Sequence, residues 1–296
     1  MMPFWRTKSG KIKNAAQWHR PGAKFHKALA DNKIEFIENC CRHNKGELGG
    51  QLLKLEQWQR EIIRGVFGWI RVDGTRLYRE VYIEIAKKNG KSTLGAALGD
   101  TFLLTENEPG AEIYSVAAEA EQAGIIFGIA KGMIEADPDL AAVTERFRRS
   151  ITYKDRSYHV LSADADTKEG KNSHVVLFDE LHVQPNRFLY DNLKTGMAAR
   201  RQPLMLMFTT AGYDRNSICW EKHKKAIDIM EGRIEDNEFL GIVFAADPED
   251  DWTAEKTWRK ANPNYGVSVK KDFIKAACEE AQRTPANENT FKRKHL

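Results

Sequence analysis

"IEIAKKNGKSTLGAALG", residues 83–99, decides how this chain is read. An apolar run stops at Ala86, a short polar and glycine stretch follows, and Lys91-Ser92-Thr93 opens a segment of helix formers. That is the order of a strand, a phosphate-cradling loop and a helix N-terminus, whose free N–H groups and dipole attract an anion. Gly90 lets the backbone come close to a phosphate. Lys91 can reach β- and γ-phosphates, and Ser92 or Thr93 can ligate Mg²⁺. The usual spacing, G-x-x-x-x-G-K-[ST], asks for glycine at position 85, where this chain has Ile85.

Other runs give the loop its setting. "EIYSVAA" (112–118), "HVVLFD" (174–179) and "LMLMFTT" (204–210) are short and β-rich like "VYIEIA" (81–86), and helix-like stretches near 91–105, 119–135 and 186–199 separate them. Near-continuous apolar strands alternating with helices predict an α/β fold with a mainly parallel sheet covered on both faces. "ITYKDRSYHVLSA" (151–163) predicts a hairpin about Asp155.

The strand "HVVLFDELH" ends in Asp179-Glu180, and the carboxyl ends of parallel strands are where such sheets bind ligands. Asp179 can hold Mg²⁺ and Glu180 can orient and deprotonate water; alternatively the pair caps the following helix. The "DE" form favours hydrolysis over transfer to a substrate, because it supplies a base beside a metal ligand. Thr209 and Thr210 can sense a γ-phosphate, hydrogen-bond Glu180 or satisfy a turn. In "LEQWQREII" (55–63), Gln59 can hydrogen-bond a base edge, or the stretch is simply an amphipathic helix start.

The chain has 296 residues and a net charge of +4. It lacks both an apolar run long enough to span a membrane and the apolar core of a secretory signal. Residues 1–30 carry Arg6, Lys8, Lys11, Lys13, Arg20, Lys24 and Lys27 and no acid, which reads as a solvated basic arm or a contact to an acidic partner such as nucleic acid. Cys40, Cys41, Cys219 and Cys278 form no C-x-x-C pair or zinc pattern and read as ordinary thiols of a reducing compartment. A boundary is expected near 214. It gives a basic extension (1–50), a nucleotide-binding core (51–214) and a mostly helical linker or lid subdomain (215–296).

In order and spacing, "AKKNGKST", "LSADADTKEGKNSHVVLFDELH" and "MFTTAGYDRNS" resemble the ATPase half of the large terminase subunit of tailed bacteriophages, over roughly residues 51–296. The resemblance implies a P-loop NTPase of the additional-strand, RecA-like class. Its phosphate loop often lacks the first glycine and carries a basic residue just after, here Lys87. ATP would then contact Lys87, Lys88, Asn89, Gly90, Lys91, Ser92 and Thr93, with Gln59 at adenine. Ser92 and Asp179 would serve Mg²⁺, Glu180 would be the base, and Thr209-Thr210 would couple hydrolysis to movement. Gly170 and Asn172 lie in a loop that could face DNA. Implied partners are double-stranded DNA, the procapsid portal, a small terminase subunit and further copies in a ring, with no membrane; the setting is the bacterial host cytoplasm, transiently docked on the procapsid. An arginine acting on the γ-phosphate is also implied, from among Arg146, Arg148, Arg149, Arg200 and Arg201.

The family's C-terminal nuclease is not expected after residue 214, and the acid run "DPEDD" (247–251) reads as a loop. Two other readings remain: a helicase-like nucleic-acid-dependent ATPase, which needs a second lobe that about 80 residues do not supply, and a non-catalytic DNA-binding or assembly module with a decayed loop.

Overall fold

A computed structural model describes residues 5–7, 10–18, 20–118, 120–162 and 171–296. Toward the N-terminus come β1 (Ala23–Phe25), α1 (Lys27–Cys40), α2 (Gln57–Gly68) and β2 (Trp69–Arg71). β3 (Glu80–Glu84) leads to α3 (Lys91–Thr105), and β4 (Glu112–Ala117) to α4 (Ala120–Glu135). The short α5 (Pro138–Val143) precedes β5 (Glu145–Arg146), β6 (Ser150–Tyr153) and β7 (Arg156–Ser162). Then follow β8 (Ser173–Phe178), α6 (Phe188–Thr195), β9 (Leu204–Thr209), α7 (Ile218–Met230) and β10 (Phe239–Val243). The last helices are α8 (Glu255–Ala261), α9 (Lys271–Arg283) and α10 (Pro285–His295).

Eight strands form one sheet in the order β10-β3-β9-β8-β4-β7-β6-β5, parallel from β10 to β7 and antiparallel thereafter. The strands alternate their side chains between two apolar layers, as a sheet buried on both faces requires. Val81 and Ile83 of β3, Val175 and Leu177 of β8, and Leu206 and Phe208 of β9 enter one layer with α2, α3 and α4. Tyr82, Val176, Phe178 and Met207 enter the other, against α6 and α7. β9 lies between the loop strand β3 and the acid strand β8, the inserted strand that defines the additional-strand class. The expected α/β, RecA-like class is the fold observed.

Two segments set apart by the sequence reading are built into this body. Trp5 and Trp18 are fully buried in the first layer, and Arg6 and Arg20 are buried too, Arg20 Nε donating to Tyr78 Oη at 2.8 Å. The N-terminal segment is therefore no free basic arm at these two arginines. Trp18 needs the absence of a side chain at Gly65, where a Cβ would meet its ring at 2.1 Å. The boundary expected near 214 also moves: β10 pairs in parallel with β3, so the sheet is completed only at Val243. "FLGIVFAA" is legible as a strand, but nothing local in it says which edge it joins. A separate small apolar cluster of Trp258, Val269, Ile274, Cys278, Ala281 and Phe291 holds α8, α9 and α10 together.

Candidate nucleotide-binding site

Position 85 is settled by packing. Ile85 donates its N–H to Thr209 O at 3.0 Å, and its side chain is fully buried in the core layer beneath the loop. A glycine is not needed there, because the tight backbone comes later. Lys88 and Gly90 both lie in the left-handed region, at φ 68° and 82°. Such turns let successive N–H groups line a concave surface for an anion. Gly90 is the N-cap of α3, whose first-turn donors have no side-chain cap.

Lys91 is buried, and its ammonium donates to Ile85 O at 3.1 Å and Ala86 O at 3.5 Å, spanning its own loop. Burial lowers its pKa, opposed by the charges of Glu180 and Asp179. Ser92 Oγ donates to Asp179 Oδ2 at 3.3 Å, joining the start of α3 to the end of β8. Asp179 is pushed up to about 6 by burial and by the neighbouring Glu180 charge, against the pull of Lys91. A hydroxyl and a carboxylate form an all-oxygen pair of the kind a hard divalent cation accepts.

Glu180 sits at φ 48°, an unusual conformation for a non-glycine residue, which turns it away from the strand. Its Oε2 lies 3.1 Å from His182 Nδ1. Burial works to raise its pKa, but the close approach of His182 and the charges of Lys91 and His182 prevail and lower it. Glu180 therefore carries its charge at neutral pH while Asp179 is the more readily protonated of the pair.

Lys87, Lys88, Gly90, Lys91, Ser92, Thr93, Glu180 and Ser268 line one cavity of about 370 Å³ at the carboxyl end of the sheet. Most of the expected contacts thus converge. Others are placed differently. Asn89 is fully buried under the loop. Thr209 does not meet Glu180; its Oγ1 accepts from His182 N at 3.2 Å and donates to Thr210 O at 2.9 Å, so the link to the acid runs through His182. Thr210 is buried and does not line the cavity. Gln59 belongs to a capping box at the start of α2: its Oε1 accepts from Glu56 N at 2.9 Å, while its Nε2 faces Gly90. That leaves only the amide nitrogen for a base.

Gly170 lies outside the described residues; Asn172 donates to Glu112 and its carbonyl accepts from Arg200. The acid run 247–251 forms a surface turn in which Asp247 and Asp250 pair with Lys260. His182, Asn262, Asn264 and Ser268 were missed. His182 alone had a signal, being two residues past the acid; the others lie far along the chain.

Comparison with known proteins identifies the family. The family described as terminase large subunit, ATPase domain, matches residues 57–228, more than half of the chain. The large terminase subunit of Enterobacteria phage HK97 is 27% identical over 270 residues, covering 89% of this chain and 52% of that protein. Protein YmfN of Escherichia coli is 40% identical over 128 residues, which are 43% of this chain and 28% of that protein. The crystal structure of the HK97 large terminase superposes with a TM-score of 0.78 at 25% identity, covering 90% of this chain and 54% of that one. The chain therefore spans about half the length of the HK97 protein and less of YmfN. With β9 inserted between the loop and acid strands, and the match running from α2 into α7, this chain belongs to the terminase large subunit family through its ATPase domain.

Proposed function

We propose that this chain hydrolyses ATP with Mg²⁺ and, as part of a homo-oligomeric ring in the host cytoplasm, drives double-stranded DNA through a portal into a procapsid, with a small terminase subunit selecting the DNA. The observation that carries the chemical part is the convergence of Lys87, Lys91, Ser92 and Glu180 on one cavity at the end of the sheet. Lys91 leaves its carbonyl partners for the phosphates, assisted by Lys87 and the α3 N-terminus. Ser92 and Asp179 would hold Mg²⁺, which would supply charge neutralisation at the phosphates. Glu180, ionised, orients a water and accepts its proton. His182 holds Glu180 and Thr209 together, so a change at the acid is felt on β9. Beside the loop, a cavity of about 580 Å³ walled by Trp58, Phe244, Pro263 and Tyr265 suits the base.

For the arginine, hydrogen bonding separates the five. Arg146 caps α5 through Ala141 O and Thr144 O, Arg200 is spent on Pro109, Gly110 and Asn172 carbonyls, and Arg201 on Asp73 O. Arg149 donates to Val160 O. Arg148, exposed at the β5–β6 turn, has no partner among the described residues and is our choice. β5 lies six strands from β3. At about 4.8 Å per strand that is roughly 29 Å, so Arg148 must act on a neighbouring copy. Mg²⁺-dependent ATP hydrolysis that is lost in both Lys91→Ala and Glu180→Gln tests the reading.

A further inference from the structure

The phosphate loop is not held by its own residues alone. Its carbonyls are engaged one after another: Ile85 O by Lys91 Nζ, Ala86 O and Lys87 O by Asn89 Nδ2 at 3.1 and 3.3 Å, Lys88 O by Ser268 Oγ at 2.6 Å, and Asn89 O by Asn264 Nδ2 at 3.2 Å. A peptide's N–H lies opposite its C=O, so the ties on Lys87 O, Lys88 O and Asn89 O fix where the N–H groups of Lys88, Asn89 and Gly90 point, while Lys87 N–H, opposite Ala86 O, is held by Lys294 O at 3.3 Å. In a loop with left-handed Lys88 and Gly90, peptide planes turn over cheaply unless such ties fix them.

Two of these ties come from residues 262–268, one from exposed Ser268 and one from buried Asn264. Asn89 and Asn262 are 0% and 1% exposed, and Asn264 is 5% exposed. Asn89 Nδ2 donates to Asn262 Oδ1 at 2.8 Å, and Asn264 N donates to Asn89 Oδ1 at 3.1 Å. Asn264 Oδ1 accepts from Trp58 Nε1 at 2.6 Å, and Asn262 Nδ2 donates to His295 O at 2.7 Å. Pro263 between the two asparagines has a fixed φ, which limits how the pair can move relative to each other. Buried amides that satisfy one another cooperate, and losing one leaves others unpaired.

We propose that Asn89, Asn262, Asn264 and Ser268 form a latch that sets the direction of the phosphate loop's N–H groups, making residues 262–268 a positioning part of the nucleotide site. The inference rests on the nucleotide reading above. Removing a tie leaves the chemistry of Lys91 and Glu180 in place but frees the loop to turn donors away, so the loss falls on nucleotide affinity.

The test measures ATP and ADP binding, and ATP turnover in Mg²⁺, for the wild type, Ser268→Ala, Ser268→Thr and Asn264→Ala. Ser268 is exposed, so its removal leaves the fold intact. One lost hydrogen bond corresponds to about fivefold; Ser268→Ala loses the tie to Lys88 O and the bond its Oγ accepts from Asn264 Nδ2 at 3.1 Å, so it raises Kd and KM at least about fivefold with kcat within about twofold. Asn264→Ala, losing several, raises them more than about tenfold, and Ser268→Thr restores wild-type values. The nucleotide-induced rise in melting temperature shrinks in both alanine variants. Wild-type KM in both alanine variants overturns the latch while leaving the nucleotide site standing, and so does a lowered melting temperature of the nucleotide-free protein with unchanged affinity. A wild-type chain that binds neither ATP nor ADP overturns both.

Discussion

Asp100 sits in α3, nine residues after Lys91, fully buried with neither carboxylate oxygen hydrogen-bonded among the described residues. Burial pushes its pKa well above the ordinary 3.8. Near it are Tyr158 and Cys41. An acid whose pKa is raised on folding contributes stability that is complete below its unfolded value and is lost as pH rises toward the folded one. The slope is about 1.4 kcal/mol per pH unit across that window, because one pKa unit is worth that much. Asp100→Asn keeps the shape and removes the proton. Against the wild type it should gain stability steadily above pH 4, by up to about 4 kcal/mol at neutral pH from that slope, less about 1–3 kcal/mol for the amide that is still buried without partners, a net gain of about 1–3 kcal/mol. For a chain of this size that is a rise of several degrees in melting temperature. Urea melts of both proteins at half-unit steps from pH 5 to 8 measure the difference. A difference independent of pH, or a substitution destabilising by the same amount at every pH, would refute the reasoning.

Glu106 makes the opposite case: buried, it is nonetheless held down at about 2, because the Arg76 charge and the His174 hydrogen bond outweigh burial. Its contribution is complete above its ordinary value of 4.5 and fades as pH falls toward 2. Glu106→Gln should cost about 3–5 kcal/mol at pH 7 by leaving Arg76 buried without its acid, and chemical melts should show that gap narrowing below pH 4.5. Arg148→Ala should cut turnover about a thousandfold at unchanged ATP affinity. Mixed with Lys91→Ala subunits it should regain part of the activity, since an intact arginine then faces an intact loop; no recovery on mixing means the arginine is another.

What the sequence discloses is what lies together along the chain. Lys91-Ser92 and Asp179-Glu180 each follow an apolar strand directly, so strand-then-loop order carries both their identity and their place. β9 reads as a strand ending in Thr209-Thr210, but only the fold shows Thr209 turned to His182. The latch was invisible, because Asn262, Asn264 and Ser268 meet the loop from 173, 175 and 180 residues away. The same limit hid Arg20, which reads as surface charge until Tyr78 is brought to it. It hid the pairing of β10 with β3 as well. The interleaved Trp5 and Trp18 were the available sign that the basic segment packs inward.

The proposed hydrolysis hangs on Glu180 as base, and single-turnover cleavage of ATP in Mg²⁺ by Glu180→Gln isolates that step from binding. The account predicts ATP affinity within about threefold of wild type and cleavage slowed by at least about a hundredfold. Cleavage at the wild-type rate with ATP bound would contradict it.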